Sequence, residues 1–275
     1  MSWRRLKIIV WKDLLEVSKN KTVISSMIIV PLIFILLLPG IILGISFVTD
    51  STEMYNDPDF KLMLEKIPPE MLAGFAGLDE AQSMITMMLG YLFAPFFLIM
   101  PLMLSISVAA ESFAGERERK TIEALLYTPA TDAELFFGKA LAGFIPAYAI
   151  SVISFVLYAL VLNLGGYPIF GQIWFPLDFW YVLVFWVCPA VAALGIGATV
   201  LISTRAQSFM DAYQTGGVLV VLVVGMFAAQ AAGLVYLNIW LGVVLGFIFW
   251  LAAGLLFFFG IQQFNRRALM TTKAR

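Results

Sequence analysis

Hydrophobic residues along this chain fall into long unbroken blocks separated by short polar ones. Six blocks, Val23–Phe47, Met84–Ala110, Ala140–Leu162, Trp180–Ser203, Gly216–Val235 and Ile239–Gln262, contain no Asp, Glu, Lys or Arg. A helix needs about 20 apolar residues to cross the hydrocarbon core of a bilayer. A single charged residue at its centre costs roughly 2.5–3.5 kcal/mol on insertion scales. The pattern therefore predicts an all-α membrane protein with six transmembrane helices. The link around Tyr236–Asn238 is so short that the last two spans are expected to form a tight antiparallel hairpin. Before the first span the period changes. Trp3, Leu6, Val10, Leu14 and Val17 recur at steps of three and four, with Arg5, Lys12, Glu16 and Lys19 opposite. This is the signature of an amphipathic helix lying at the membrane interface. The chain thus divides into an interfacial helix, 1–22, and a six-helix domain, 23–275.

Orientation follows from the basic residues. Fifteen of the 17 Lys and Arg lie in the amino-terminal segment, the connection between spans two and three, the connection between spans four and five, and the tail. The opposite side holds only Lys61 and Lys66. This predicts both termini in the cytoplasm of a multi-pass protein of the cell membrane. Trp174, Phe175, Trp180 and Tyr181, with Tyr236 and Trp240 at the last hairpin, are expected to mark the outer interface. Pro31, Pro39, Pro95, Pro101, Pro146 and Pro189 lie within spans and predict kinks. Gly40 with Gly44, and Gly242 with Gly246, have the spacing that lets helices approach closely, within the bundle or between two copies.

Composition sharpens this picture mainly by exclusion. The 275 residues are 61% hydrophobic and 13% charged, against about 25% charge in soluble domains. A net charge of −1 argues against a nucleic-acid surface. Histidine is absent, which removes His-based triads, metal motifs and proton relays. The one cysteine, Cys188, sits in an apolar block and reads as a packing residue. The start is too charged for a cleavable signal peptide. No catalytic constellation stands out, so no enzyme activity, cofactor or metal is expected in this chain.

Two connections are long enough to carry function. The outer segment, 50–83, holds eight acidic residues without regular metal-ligand spacing. Asp57 and Pro58 suit a helix start there, and Pro68 and Pro69 a stop. The inner segment, 111–131, begins with a dense charge cluster, continues with Ile122, Leu125 and Leu126 on one helical stripe, and closes at Pro129. Thr131 to Glu134 then form a capping-box pattern. A short charged helix with an apolar edge, held between two spans, is suited to docking in a groove of another protein.

The run Glu116-x-Glu118-x-x-Thr121-x-Glu123-x-Leu125-Leu126-x-x-Pro129, followed by Gly138-Lys139, resembles the permease subunits of type-2 ABC exporters. Ala212 and Gln214 echo an alanine–x–glutamine element of similar permeases, with Asp211 where Glu is commoner. The resemblance covers nearly the whole chain. It implies a homodimer or paired permease, each copy joined to a cytoplasmic ATP-binding subunit that holds ATP and Mg, and a coupling role for Glu116, Arg117, Glu118, Arg119, Thr121, Glu123, Leu125, Leu126 and Pro129. The chain cannot bind nucleotide as a P-loop itself: Ala133 and Ala140 stand where Gly and Ser or Thr are required around Gly138-Lys139. A secondary transporter driven by an ion gradient is the alternative, although such proteins keep ionisable residues within their spans. A structural subunit without a pathway is another. Scattered polar residues, Tyr91, Ser105, Thr199 and Gln230, would line a mainly apolar pathway suited to hydrophobic or amphipathic cargo.

Overall fold

The computed structural model describes residues 2–48, 58, 61, 75–119 and 130–263. Most of the outer segment, including Asp57 and the Pro68–Pro69 stop, and residues 120–129 of the inner segment lie outside the described residues. The described chain is helical, with no strand. A first helix, α1 (Trp3–Val17), precedes six helices long and apolar enough to cross a membrane. These are α2 (Val23–Ser46), α3 (Glu80–Glu118), α4 (Asp132–Phe170), α5 (Asp178–Ser203), α6 (Phe209–Ala231) and α7 (Ile239–Gln262). The chain is an all-α membrane protein.

Helices α3 and α5 form the centre. In each, 78% of the most apolar stretch is buried, against 24% in α2 and 17% in α6 and α7. The outer helices therefore turn most of their apolar surface away from the described protein, as a lipid environment permits. α5 packs along α3, α4 and α7, and α3 along α4 and α6. Close approach of α5 to α3 depends on Gly195, where a Cβ would overlap Ser105 Oγ. The expected hairpin of α6 and α7 is not what forms. The two helices are consecutive but pack mainly on other spans, α6 on α3 and α5 and α7 on α5. A short link dictates adjacent ends, not adjacent faces; Gly233 (φ 70°) turns the chain, and Tyr236 and Leu237 of the link are buried. Gly242 and Gly246 face Val182 and Trp186 of α5, so this pair serves the bundle itself. A Cβ added at Gly40 or Gly44 would meet no other described atom within 4 Å beyond its own turn of helix.

Among the described residues the spans contain four π turns, and three of them lie beside a proline. They are Ile33–Leu37 between Pro31 and Pro39, Thr86–Leu92 before Pro95, and Leu183–Val187 before Pro189. Pro146, by contrast, sits inside the unbroken helix α4. The turn in α3 shows what such a kink requires. The Phe93 N–H reaches back to Met88 O instead of Leu89 O, and Pro95 has no N–H to offer Tyr91 O. Three side chains donate to three consecutive carbonyls there: Tyr158 Oη to Leu89 O at 2.8 Å, Trp180 Nε1 to Gly90 O at 2.7 Å, and Gln230 Nε2 to Tyr91 O at 2.8 Å. They come from α4, α5 and α6, so the kink is fastened to three other spans.

Part of the expected aromatic belt is buried instead, while Tyr181 is exposed. Trp180 and Phe175 are core residues; Trp180 stacks on Tyr158 and Phe155 and meets Phe97 and Phe175 edge-on. Tyr236 is buried too, whereas Trp240 is 80% exposed. The polar residues expected along a pathway are also engaged at home. Ser105 and Thr199 donate to carbonyls of their own helices, Leu102 O and Gly195 O. Gln230 differs because its bond joins two spans. Gln230→Leu is expected to lower stability by roughly 1 kcal/mol, the range of interhelical bonds in membranes. Ser105→Ala should cost less, because its hydroxyl bonds only within its own turn. Thermal unfolding of the purified variants in detergent tests this; equal shifts would remove the cross-link argument.

Candidate functional site

The basic end of the bundle is built on a stack of charges that sequence alone left on the surface. Both α3 and α4 overrun their uncharged blocks, α3 to Glu118 and α4 back to Asp132. The overrun of α3 passes through a fourth π turn, Glu111–Gly115, which has no proline. It carries Glu111 and Glu116 into buried positions, and Lys139 on α4 is buried opposite them. Burying a charge is tolerated only when it is paired and hydrogen-bonded.

The pairing forms a closed ring. Lys139 Nζ lies 2.6 Å from Glu116 Oε2 and 3.3 Å from Asp13 Oδ2. Lys12 Nζ lies 2.5 Å from Glu116 Oε1 and 3.3 Å from Asp13 Oδ1. Each carboxylate thus touches both ammonium groups. Lys139 also donates to Ser112 O at 2.8 Å and stands over the Phe113 ring. Asp13, Glu116 and Lys139 are each about 1% exposed, while Glu16 closes the rim 3.0 Å from Lys12. Burial alone would lower the Lys12 ammonium pKa; the hydrogen bond and charge of Glu116, then Asp13, overcome this and raise it. Asp13, Glu16 and Glu116 bring three carboxylate oxygens within 4.8 Å of one another. The Lys12 ammonium contacts all three residues, so their convergence is explained by an ion pair.

Two further sets of contacts fix the surroundings. Glu111 pairs with Arg119 at 2.8 Å and accepts from Asn20 Nδ2 at 2.7 Å. At the start of α4 the capping box forms as the sequence predicts, Glu134 N–H to Thr131 Oγ1 and Thr131 N–H to Glu134 Oε2. Glu134 also accepts from Ser2 N–H and lies 3.6 Å from Arg5, so it anchors the start of α1. Gly138 explains its place beside Lys139: a Cβ there would come within 2.6 Å of Ile9. The glycine lets α1 lie against α4, and the lysine then reaches the ring.

The helix α1 exists as the periodicity predicts, but its protein-facing side is different. Leu6, Ile9, Asp13 and Val17 are buried, whereas Trp3, Ile8, Trp11 and Leu15 are exposed. Reading only apolar positions passes over Asp13, which shares the buried face with Leu6, Ile9 and Val17. The sequence gives no local sign of its partners: Lys139 lies 126 residues away.

Of the nine residues proposed for coupling, four are described, and all four bond to their own chain. Glu116 is in the ring. Arg117 donates to Thr204 O at 3.2 Å. Glu118 accepts from Phe209 N–H at 2.9 Å, at the start of α6. Arg119 holds Glu111 but stays half exposed. Thr121, Glu123, Leu125, Leu126 and Pro129 lie outside the described residues. Ala212 packs with Ala110, Ala114 and Ala206 between α3 and α6, whereas Gln214 is exposed. The last turns of α3 therefore touch α1, α4 and the start of α6.

The family model described as "ABC-2 family transporter protein" matches residues 7–265. The chain belongs to the ABC-2 transporter family. Searches of curated proteins and of solved structures gave no significant match. As an ABC-2 membrane protein, the chain is the multi-pass permease component of an ABC transporter. The match begins within α1 and extends past α7, so Lys12, Asp13 and the charge ring they join lie inside the family region.

Proposed function

We propose that this permease is driven by a separate ATP-binding subunit that docks on the basic, cytoplasmic side at segment 111–131, and that it works as an exporter in a homodimer or paired complex. Fifteen of 17 basic residues on one side support that orientation. The observation that carries the reading is the anchoring of α3 beyond the membrane block. Its end, Glu111–Glu118, is tied to α1, α4 and α6, and residues 120–129 connect it directly to the cap of α4. A pull on that segment would reach four helices at once. ATP in the partner can drive the permease only if the partner binds one packing of these helices better than the other. ATP and Mg belong to that partner, and this chain contributes no catalytic group.

Export direction and pairing rest on the resemblance of the 116–129 run to exporter permeases. Affinity purification of the tagged chain from native membranes is expected to bring down an ATP-binding cassette subunit. The purified pair should hydrolyse ATP, and cargo movement in vesicles should need it. Transport by the chain alone, or collapse of transport by an uncoupler with ATPase absent, would reject this reading.

A further inference from the structure

At the corner between α1 and α2 the chain forms a groove of about 420 Å³ lined by Ser18, Lys19, Lys21, Ile24, Ser25, Ile28 and Ile29. Lys21, Ile24, Ser25, Ile28 and Ile29 stand at helical steps of three and four, so they share one face of the helix that continues into α2. From Lys21 to Ile29 that face runs roughly 12 Å along the axis. One end carries two ammonium groups and hydroxyls; the other carries three isoleucines. Ile28 and Ile29 are 59% and 54% exposed. The charged end has no acid among its lining residues. The nearby acids Glu16 and Glu111 are held by Lys12 and Arg119. Among the described residues neither Lys19 nor Lys21 is paired with a carboxylate.

We propose that this groove binds one anionic phospholipid, with its phosphate at Lys19 and Lys21 and an acyl chain along Ile24, Ile28 and Ile29. A free inorganic anion would use the lysines and leave the isoleucine wall unexplained. A zwitterionic lipid would bring a positive group toward two uncompensated ammoniums. The position fits the chemistry, since polar α1 meets the apolar block of α2 here, at the depth where headgroup gives way to hydrocarbon. The groove adjoins a junction between α1, α2 and α3. Asn20, between the two lysines, accepts from the Val23 N–H at 3.4 Å and donates to Glu111 at 2.7 Å. A lipid seated here braces the corner from which α1 reaches the charge ring. The inference needs only that the chain spans a membrane and is independent of the ATPase docking proposed above.

The test uses the full purified chain in nanodiscs of phosphatidylcholine with and without phosphatidylglycerol, followed by native mass spectrometry to count retained lipid. The wild type is expected to retain phosphatidylglycerol in preference to phosphatidylcholine. Lys19→Gln with Lys21→Gln should weaken retention roughly thirtyfold, the effect of two basic residues beside an anionic headgroup. Arg4→Gln with Lys7→Gln removes the same charge elsewhere on α1 and should stay near wild type. Lys19→Arg with Lys21→Arg should keep the lipid, which guards against a folding defect in the Gln pair. Glycerol 3-phosphate, a headgroup without chains, should not displace it. Equal loss in the two Gln pairs would mean diffuse surface attraction and overturn the site. So would displacement by glycerol 3-phosphate, or no preference for phosphatidylglycerol.

Discussion

Lys139→Met is expected to destabilise the protein by roughly 3–5 kcal/mol, the usual cost of breaking a buried ion pair from one side. The methylene stem keeps its packing, so the loss falls on the charge. Glu116 and Asp13 would then share Lys12 alone, a residue itself about one-third exposed. Two buried carboxylates with one ammonium leave an uncompensated negative charge in a site of low polarisability. Ser112 O would also lose its donor. Removing the partner charge should undo part of the damage: Lys139→Met with Glu116→Gln is expected to be more stable than Lys139→Met alone. Thermal unfolding of the wild type, the two single variants and the double variant gives the coupling directly as a double-mutant cycle. Additive effects, or a Lys139→Met protein within about 0.5 kcal/mol of wild type, would show that the ring does not hold α1 to α3 and α4.

That ring also marks where reading the sequence stopped short. The six spans were legible because lipid imposes a simple rule, long apolar blocks without charge, and helices α2 to α7 cover all but the ends of those blocks. The same rule ended the second span at Ala110 and began the third at Ala140, since Glu111 and Lys139 are charged. The helices continue because those charges meet each other's neighbourhoods in space. Glu111 finds Arg119 and Asn20, and Lys139 finds Glu116 and Asp13, partners up to 126 residues distant. No local window contains that information. The Thr131–Glu134 cap was legible because its partners lie three residues apart. Asp13 was not, because one buried acid on an otherwise amphipathic helix looks like a surface residue until its two lysines are placed. Trp180 shows the converse error. Tryptophan near a span end usually sits at the headgroups, but here the π turn before Pro95 leaves a carbonyl at Gly90 that its indole N–H satisfies. The Gly138-Lys139 pair was legible as a motif and became intelligible as mechanics only with Ile9 beside it.

Leu125→Asp with Leu126→Asp is expected to abolish copurification with the ATP-binding subunit while leaving the permease as stable as wild type. Both ends of the segment are anchored. Arg119 is tied to Glu111 on one side, and Ala130 packs with Ile9 and Leu135 on the other. Between them the sequence offers one apolar edge amid charges, Ile122, Leu125 and Leu126. Each leucine buried in a partner's groove contributes roughly 1.5–3 kcal/mol. Replacing both also places two carboxylates where they would have to shed water against an apolar wall. A loss of about 4 kcal/mol is already close to a thousandfold in affinity, enough to empty a pull-down. Lys139→Met and the leucine pair therefore separate two roles. Lys139→Met should lower the unfolding temperature of the isolated permease, because it breaks the frame inside the chain. The leucine pair is expected to leave that temperature unchanged and remove the partner, as the docking proposal requires. A leucine-pair variant that still copurifies and still transports with ATP would sink the docking proposal. The same variant failing to insert or unfolding early would place the leucines in the permease's own core instead.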